Sequence, residues 1–290
     1  MKKNKLIYFV VFSGLLIGCG KSNDTIPTGG NGGGNNGGGK DSTCMISTIS
    51  QVNSGAVPEF YLSAYYNNNY QLTRLVSYDS VNKVQDFIAD FNYITSDSVR
   101  IDSYQYLILD ASKRVARFAT KSDLAKPINA DNYLFEYAYN NQGYLIKKDL
   151  YVNGTKSPNF STVYVYTNNL LTSCVMTAVS SGNLKVLESI LTYDNTIKIK
   201  NWIYTFPDAI EGYRYSTVLN FGNRCANPLK QIVTKIYNPS SGILLDTWTT
   251  SYGNYKTDAS GHILYGEAIG DQQQGIAAFY GKTNFNYTCH

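Results

Sequence analysis

The sequence predicts an all-β protein: a long antiparallel meander of hairpins in one strongly curved sheet, open or closed into a barrel-like ring. Three observations carry that expectation. Tyrosine dominates the aromatics, with 26 Tyr against 12 Phe and 2 Trp, and it suits a pleated, half-wet surface because its ring is apolar and its hydroxyl hydrogen-bonds. Short stretches alternate apolar and polar residues with period two, as a strand with one buried face requires. Between them lie clusters of Asn, Asp, Ser and Gly, the residues that tolerate positive φ in turns. With 43% hydrophobic and 16% charged residues, the 290-residue chain is globular and not disordered. The formal charge is +4, and Lys2, Lys3 and Lys5 lie in an N-terminal segment expected to be removed. A nearly neutral remainder has no electrostatic pull on nucleic acid, which is excluded as a partner class.

Residues 1–18 read as a signal peptide, with a basic start and a 12-residue apolar run from Leu6 to Ile17 that is too short to span a bilayer. Leu16, Ile17, Gly18 and Cys19 resemble the bacterial lipobox. That resemblance implies cleavage before Cys19 and a diacylglycerol on its thiol, so the chain meets the membrane through an N-terminal lipid. Gly20 follows the cysteine where an aspartate would signal retention at the inner membrane, so the expected location is the outer membrane, on its periplasmic face or at the cell surface. Residues 19–43 are the lipidated cysteine and a Gly/Asn-rich linker with almost no side chain to bury, a flexible coil with a mean reach of roughly 25–30 Å. Gly34, Gly39 and Lys40 match the spacing of a phosphate-binding loop, but Asp41 stands where Ser or Thr is needed and no buried strand precedes it. Nucleotide binding is not expected.

Residues 44–290 form a single antiparallel β domain, since no second linker divides them. Phe135, Tyr137 and Tyr139 share one strand face, with Glu136 and Ala138 on the other; Phe285 and Tyr287 likewise oppose Asn284, Asn286 and Thr288. Only Ser122–Ile128 and Gln272–Phe279 have the pattern of a helical turn. A loose repeat runs through the domain: an aromatic strand, an Asn or Asp, a turn, then an aliphatic strand. Its clearest copy is Tyr137 to Lys148 (YAYNNQGYLIKK), and weaker copies surround Asn67, Asp110, Asn168, Asp194 and Asp258. Asn140, Asn168 and Asp194 are spaced 28 and 26 positions apart, the length of one hairpin and its connection. This unit resembles the Tyr-Asp (Rhs-like) repeats. Behind a lipobox and a glycine-rich spacer, it is similar to a family of Bacteroidetes lipoproteins of unknown function described as porin-like. The resemblance implies a curved antiparallel sheet of a dozen or more strands and no particular activity or active site.

Lipidation of Cys19 leaves Cys44, Cys174, Cys225 and Cys289, which allow three pairings in an oxidising compartment. Cys44 and Cys289 mark the first and last strands, so a bridge between them would fasten ends that otherwise fray. The histidines are His262, in a repeat turn, and His290, at the C-terminus, so a cysteine nucleophile lacks an evident base. Asp258, Ser260 and His262 crowd one turn too tightly for a triad. Glu136, Glu188, Glu211 and Glu267 are scattered, and no pair of them suggests a glycosidase. No metal or cofactor motif is present in the sequence, and no enzyme activity is expected. Trp202 and Trp248, with Tyr204 and Tyr252 two and four residues on, are the candidates for stacking on a ligand. The expected role is a lipid-anchored, non-catalytic binding module for a glycan, peptide or partner protein; the alternative is a structural or assembly component of the outer membrane surface, and a carbohydrate-active enzyme ranks last.

Overall fold

The computed structural model describes residues 44–52, 60–79, 84–101, 105–120, 133–200, 215, 218–271, 279 and 281–289. Among them the strands are β1 (Cys44–Val52), β2 (Phe60–Tyr66), β3 (Leu72–Asp79), β4 (Val84–Asp90), β5 (Asn92–Tyr93), β6 (Ser98–Arg100), β7 (Gln105–Leu109), β8 (Val115–Thr120) and β9 (Tyr133–Tyr139). They continue as β10 (Leu145–Val152), β11 (Phe160–Thr167), β12 (Leu170–Ala178), β13 (Leu184–Tyr193), β14 (Leu229–Tyr237), β15 (Leu244–Thr257), β16 (Ile263–Gly270) and β17 (Gly281–Cys289). A 3-10 turn at Val179–Ser181 joins β12 to β13. The helical turns expected at Ser122–Ile128 and Gln272–Phe279 fall, apart from Phe279, outside the described residues.

All pairings are antiparallel between strands adjacent in sequence, and β17 also pairs with β1. β4 and β5 act as one strand interrupted at Phe91, the first part bonded to β3 and the second to β6. The order of partners therefore runs from β1 round to β17 and returns to β1. One face of this ring is apolar and buried: Leu62, Leu75, Leu107, Phe135, Leu150, Tyr164, Leu191, Ile232, Ile263 and Phe285 share a single core with Val218, Leu219 and Phe221 from the long β13–β14 connection. That connection reaches across the turn end of the ring. Tyr215 packs against Phe87, Phe91 and Phe118, and Asn223 donates its amide to the Gly143 carbonyl. The other face carries the charges. Arg74 meets Asp90, Arg117 meets Glu136, and Lys147 meets Asp149.

The recurring turn has one geometry. In the turns starting at Asn67, Asp110, Asn140 and Asp258, the side-chain oxygen of the first residue accepts the amides two and four positions on. The residue three positions on is left-handed: Tyr70, Lys113, Gly143 and Gly261 all have φ between 60° and 92°. This is the type I turn closed by a left-handed bulge residue. Two copies lack the glycine and still close, because the side-chain cap holds the loop. Asn168 and Asn169 make a tighter two-residue turn, both at positive φ.

A second regularity accounts for five of the tyrosines. In five strand pairs that are joined at the far end of the ring and have no covalent link at the turn end, a tyrosine hydroxyl bridges the turn end. Tyr66 donates to the Ile46 carbonyl at 2.9 Å, Tyr139 to Val115 at 2.7 Å, Tyr193 to Leu171 at 2.9 Å, Tyr255 to Leu229 at 2.7 Å and Tyr287 to Ile263 at 3.0 Å. Burial pushes the hydroxyls of Tyr66, Tyr193, Tyr255 and Tyr287 well above the usual phenol range, so they stay protonated as donors. A Tyr255→Phe variant keeps the ring packing and loses one such tie; chemical denaturation should show it destabilised by about 1–2 kcal/mol with an unchanged m-value.

Candidate functional site

Tyr252 is 6% exposed, its ring 5.1 Å from Phe279, so the core occupies the faces that a ligand would need. Tyr252, expected to stack on a ligand, is thus placed on the inward side of β15 among the buried core residues. Trp248 lies on the same side of β15, half-buried against the core, with its indole N–H donated to Asp246 at 2.9 Å. Cys19, Trp202 and Tyr204 lie outside the described residues.

Cys44 and Cys289 face each other across β1 and β17 and are joined by a disulfide. Cys174 and Cys225 are thiols. Burial pushes the Cys225 thiol up, and its sulfur sits 3.4 Å from both the Tyr193 hydroxyl and the Leu171 amide nitrogen, a packed position without a thiolate. His262 is 5% exposed, and its Nδ1 lies 2.9 Å from Asp258. The equivalent position of two other turns holds Gln71, bonded to Asn67, and Arg114, bonded to Asp110, so His262 is the cap partner of its turn. Burial would raise the Asp258 carboxyl, but the amide and ring of His262 and the Ser260 amide outweigh it and hold the group below the usual range. Ser260 takes part through its amide and lies on the exposed side of the loop.

The glutamates are separately occupied on the charged face. Glu136 pairs with Arg117. Glu188 is held low first by Lys185 and further by Tyr237, and Glu267 first by Tyr265 and then by Asn254. Glu211 is outside the described residues. Among the described residues no group of three His, Cys, Asp or Glu is placed to hold a metal ion.

Among the described residues, the most exposed aromatics lie on the outer face of β2 and β3. Tyr61 and Tyr78 are directly opposite in register and 37% and 36% exposed; Tyr65, further along β2, is 53% exposed. Tyr65 stands opposite Arg74, whose guanidinium meets Asp90 at 3.3 Å on β4, where Ile88 is also exposed. The result is a patch of three phenol rings bordered by an aliphatic side chain and an ion pair. Rings of this kind offer flat apolar faces with a hydrogen-bonding edge. Sequence reasoning missed it because β2 reads FYLSAYY, with apolar or aromatic residues on both parities. Lys148 was equally hidden: it follows Lys147 in what reads as a solvated pair, yet it is 2% exposed on the inner face, its ammonium 6.0 Å from the Phe135 ring centre.

No family profile matches the chain, and no curated protein matches it. The fold does have solved relatives in shape, designated porin-like proteins. One is a porin-like protein from Bacteroides uniformis, 15% identical, with a TM-score of 0.51 over 84% of this chain and 98% of the other. Another is a porin-like protein from Bacteroides vulgatus, 12% identical, with a TM-score of 0.51 over 84% of this chain and 99% of the other. At these identities the likeness is one of fold.

Proposed function

We propose that this chain is a lipid-anchored envelope protein whose folded part stands in water as a non-catalytic binding module, with Tyr61, Tyr65 and Tyr78 as its contact surface. The observation that carries the reading is the polarity of the two faces. A barrel that crosses a bilayer turns apolar residues to lipid and polar residues to its lumen, and Arg or Lys at the membrane midplane costs about 2–4 kcal/mol each. Here Arg74, Arg117, Lys147 and Lys235 lie on the outside, and the inside holds a mostly apolar core in which Lys148 and a few Ser and Thr side chains are also buried. Among the described residues, charged side chains thus interrupt the outer face that a spanning barrel would turn to lipid. The lipobox at Cys19 and the spacer after it supply a membrane attachment, and the outer membrane is the expected site.

Glycans and peptides are the ligand classes that three phenol rings beside an Arg–Asp pair suit best. Thermal melts of the chain against panels of both provide the test, because a ligand that binds only the folded state raises the midpoint by mass action. A ligand at 100 times its Kd stabilises by about 2.7 kcal/mol, or roughly 5–10 °C for a domain of this size. The shift should vanish in a Tyr61→Ala, Tyr65→Ala, Tyr78→Ala variant that melts normally without ligand. A shift that survives this variant would place the binding surface elsewhere.

A further inference from the structure

We propose that the tip of the β14–β15 hairpin is a lipid-inserting wedge, through which Ile243, Leu244 and Leu245 seat the molecule on a bilayer surface. These consecutive residues are 65%, 50% and 42% exposed. Alternation along a strand should bury one of Leu244 and Leu245, and both are exposed, in the part of β15 that lies before its first pairing with β16. β16 ends at Gly270, opposite Thr250, whereas β15 begins at Leu244. The pairing also slips between Ile236 and Tyr237, inserting Leu245 as an extra residue at the tip.

The exposure is built into the hairpin. The Asn238 amide donates to the Ile243 carbonyl and the Gly242 amide to the Asn238 carbonyl, both at 2.8 Å, while the Asn238 side chain caps Ser240 and Ser241. Gly242 supplies the left-handed turn at φ 68°. At the root, Trp248 packs on the core and holds Asp246. A turn closed by its own hydrogen bonds thus presents three exposed aliphatic side chains at the far end of the ring.

Two features favour lipid over a protein partner. The three exposed residues are all aliphatic, and contact residues that dominate protein interfaces are Trp, Tyr and Arg, with Leu under-represented. The tip also lies within reach of the membrane that would hold the lipid. Strand directions put it at the end opposite Cys44, a distance of roughly 30 Å for a nine-residue strand. Residues 20–43 extend to about 80 Å at full stretch, enough to return alongside the ring. The wedge itself does not depend on lipidation of Cys19, so it is tested without the lipid.

The pairing ring lies wholly within residues 44–289, so a chain running from Gly20 to His290 carries it intact. That chain should co-float with vesicles of phosphatidylcholine and with vesicles of phosphatidylethanolamine and phosphatidylglycerol, and remain bound in about 0.5 M NaCl, where charge attraction is screened. The Ile243→Ser, Leu244→Ser, Leu245→Ser variant should bind roughly tenfold or more weakly with an unchanged melting midpoint. Independently, Ile243→Trp should shift its emission to the blue when vesicles are added. Failure of the parent chain to float, binding confined to anionic vesicles and lost in salt, equal flotation of the triple variant, or an unmoved emission would each overturn the proposal. The ligand panel reads a different surface, so its outcome is independent of this one.

Discussion

A Cys44→Ser, Cys289→Ser double variant is expected to melt roughly 10–20 °C below the parent chain. The bridge spans a sequence separation of 245 residues, joining the first residue of β1 to the last of β17. Cross-linking the unfolded chain over so long a loop removes entropy worth about 5 kcal/mol of stability, and a domain of this size shifts by about 2–4 °C per kcal/mol. The seam it guards pairs segments from opposite ends of the chain, so β1 and β17 meet only when nearly everything between them is in place. Scanning calorimetry of the double variant, with and without reductant, measures the effect. A loss under about 2 °C would mean that the β1–β17 ladder holds without its clasp.

The second large effect is expected at Gly222. Its φ is +90°, and a Cβ added there would lie 2.2 Å from the Gly143 carbonyl oxygen and 3.1 Å from the Tyr139 ring. That carbonyl accepts the Asn223 amide, so the clash falls on the contact that docks the β13–β14 connection against the turn at Asn140. Next to it Phe221, 2% exposed, lies 5.2 Å from Tyr137. A Gly222→Ala variant must separate turn from connection and expose that packing, at a cost of about 3–5 kcal/mol. Gly182→Ala is the matched comparison, with φ +75° and nothing within 4 Å of the added carbon; backbone strain alone should cost it about 1–2 kcal/mol. Equal losses in the two variants would show that conformational strain, and not the contact with Gly143, dominates at Gly222.

Much of the architecture was legible in the residues. The turn at Asn140 could be read because its Asn and Gly perform local chemistry: a side-chain cap and a left-handed φ need no distant partner. The strand Tyr133–Tyr139 could be read because period two is a property of one segment. Turns at Asn67 and Asp110 were harder, since Tyr70 and Lys113 take the left-handed position that glycine usually marks.

The candidate site was less legible, and β15 and β2 show why. Nothing local distinguishes the buried Tyr252 from the exposed Tyr65: each is a tyrosine in an alternating strand, and one is 6% and the other 53% exposed. Their difference lies in which face meets the shared core, and that core is assembled from Phe279, Phe221 and strands far away in sequence. Lys147 and Lys148 make the same point, being adjacent residues that the ring divides between water and the interior.

By itself, then, the sequence determined the all-β meander, its turns and the tyrosine-rich strands, because alternation and turn caps act over a few residues. Only the tertiary structure decided which tyrosines tie strands together and which face water, that the two ends of the chain share a seam, and that the apolar face points inward. Those outcomes depend on contacts between residues up to 245 positions apart, and no local pattern encodes which partner a strand face will meet.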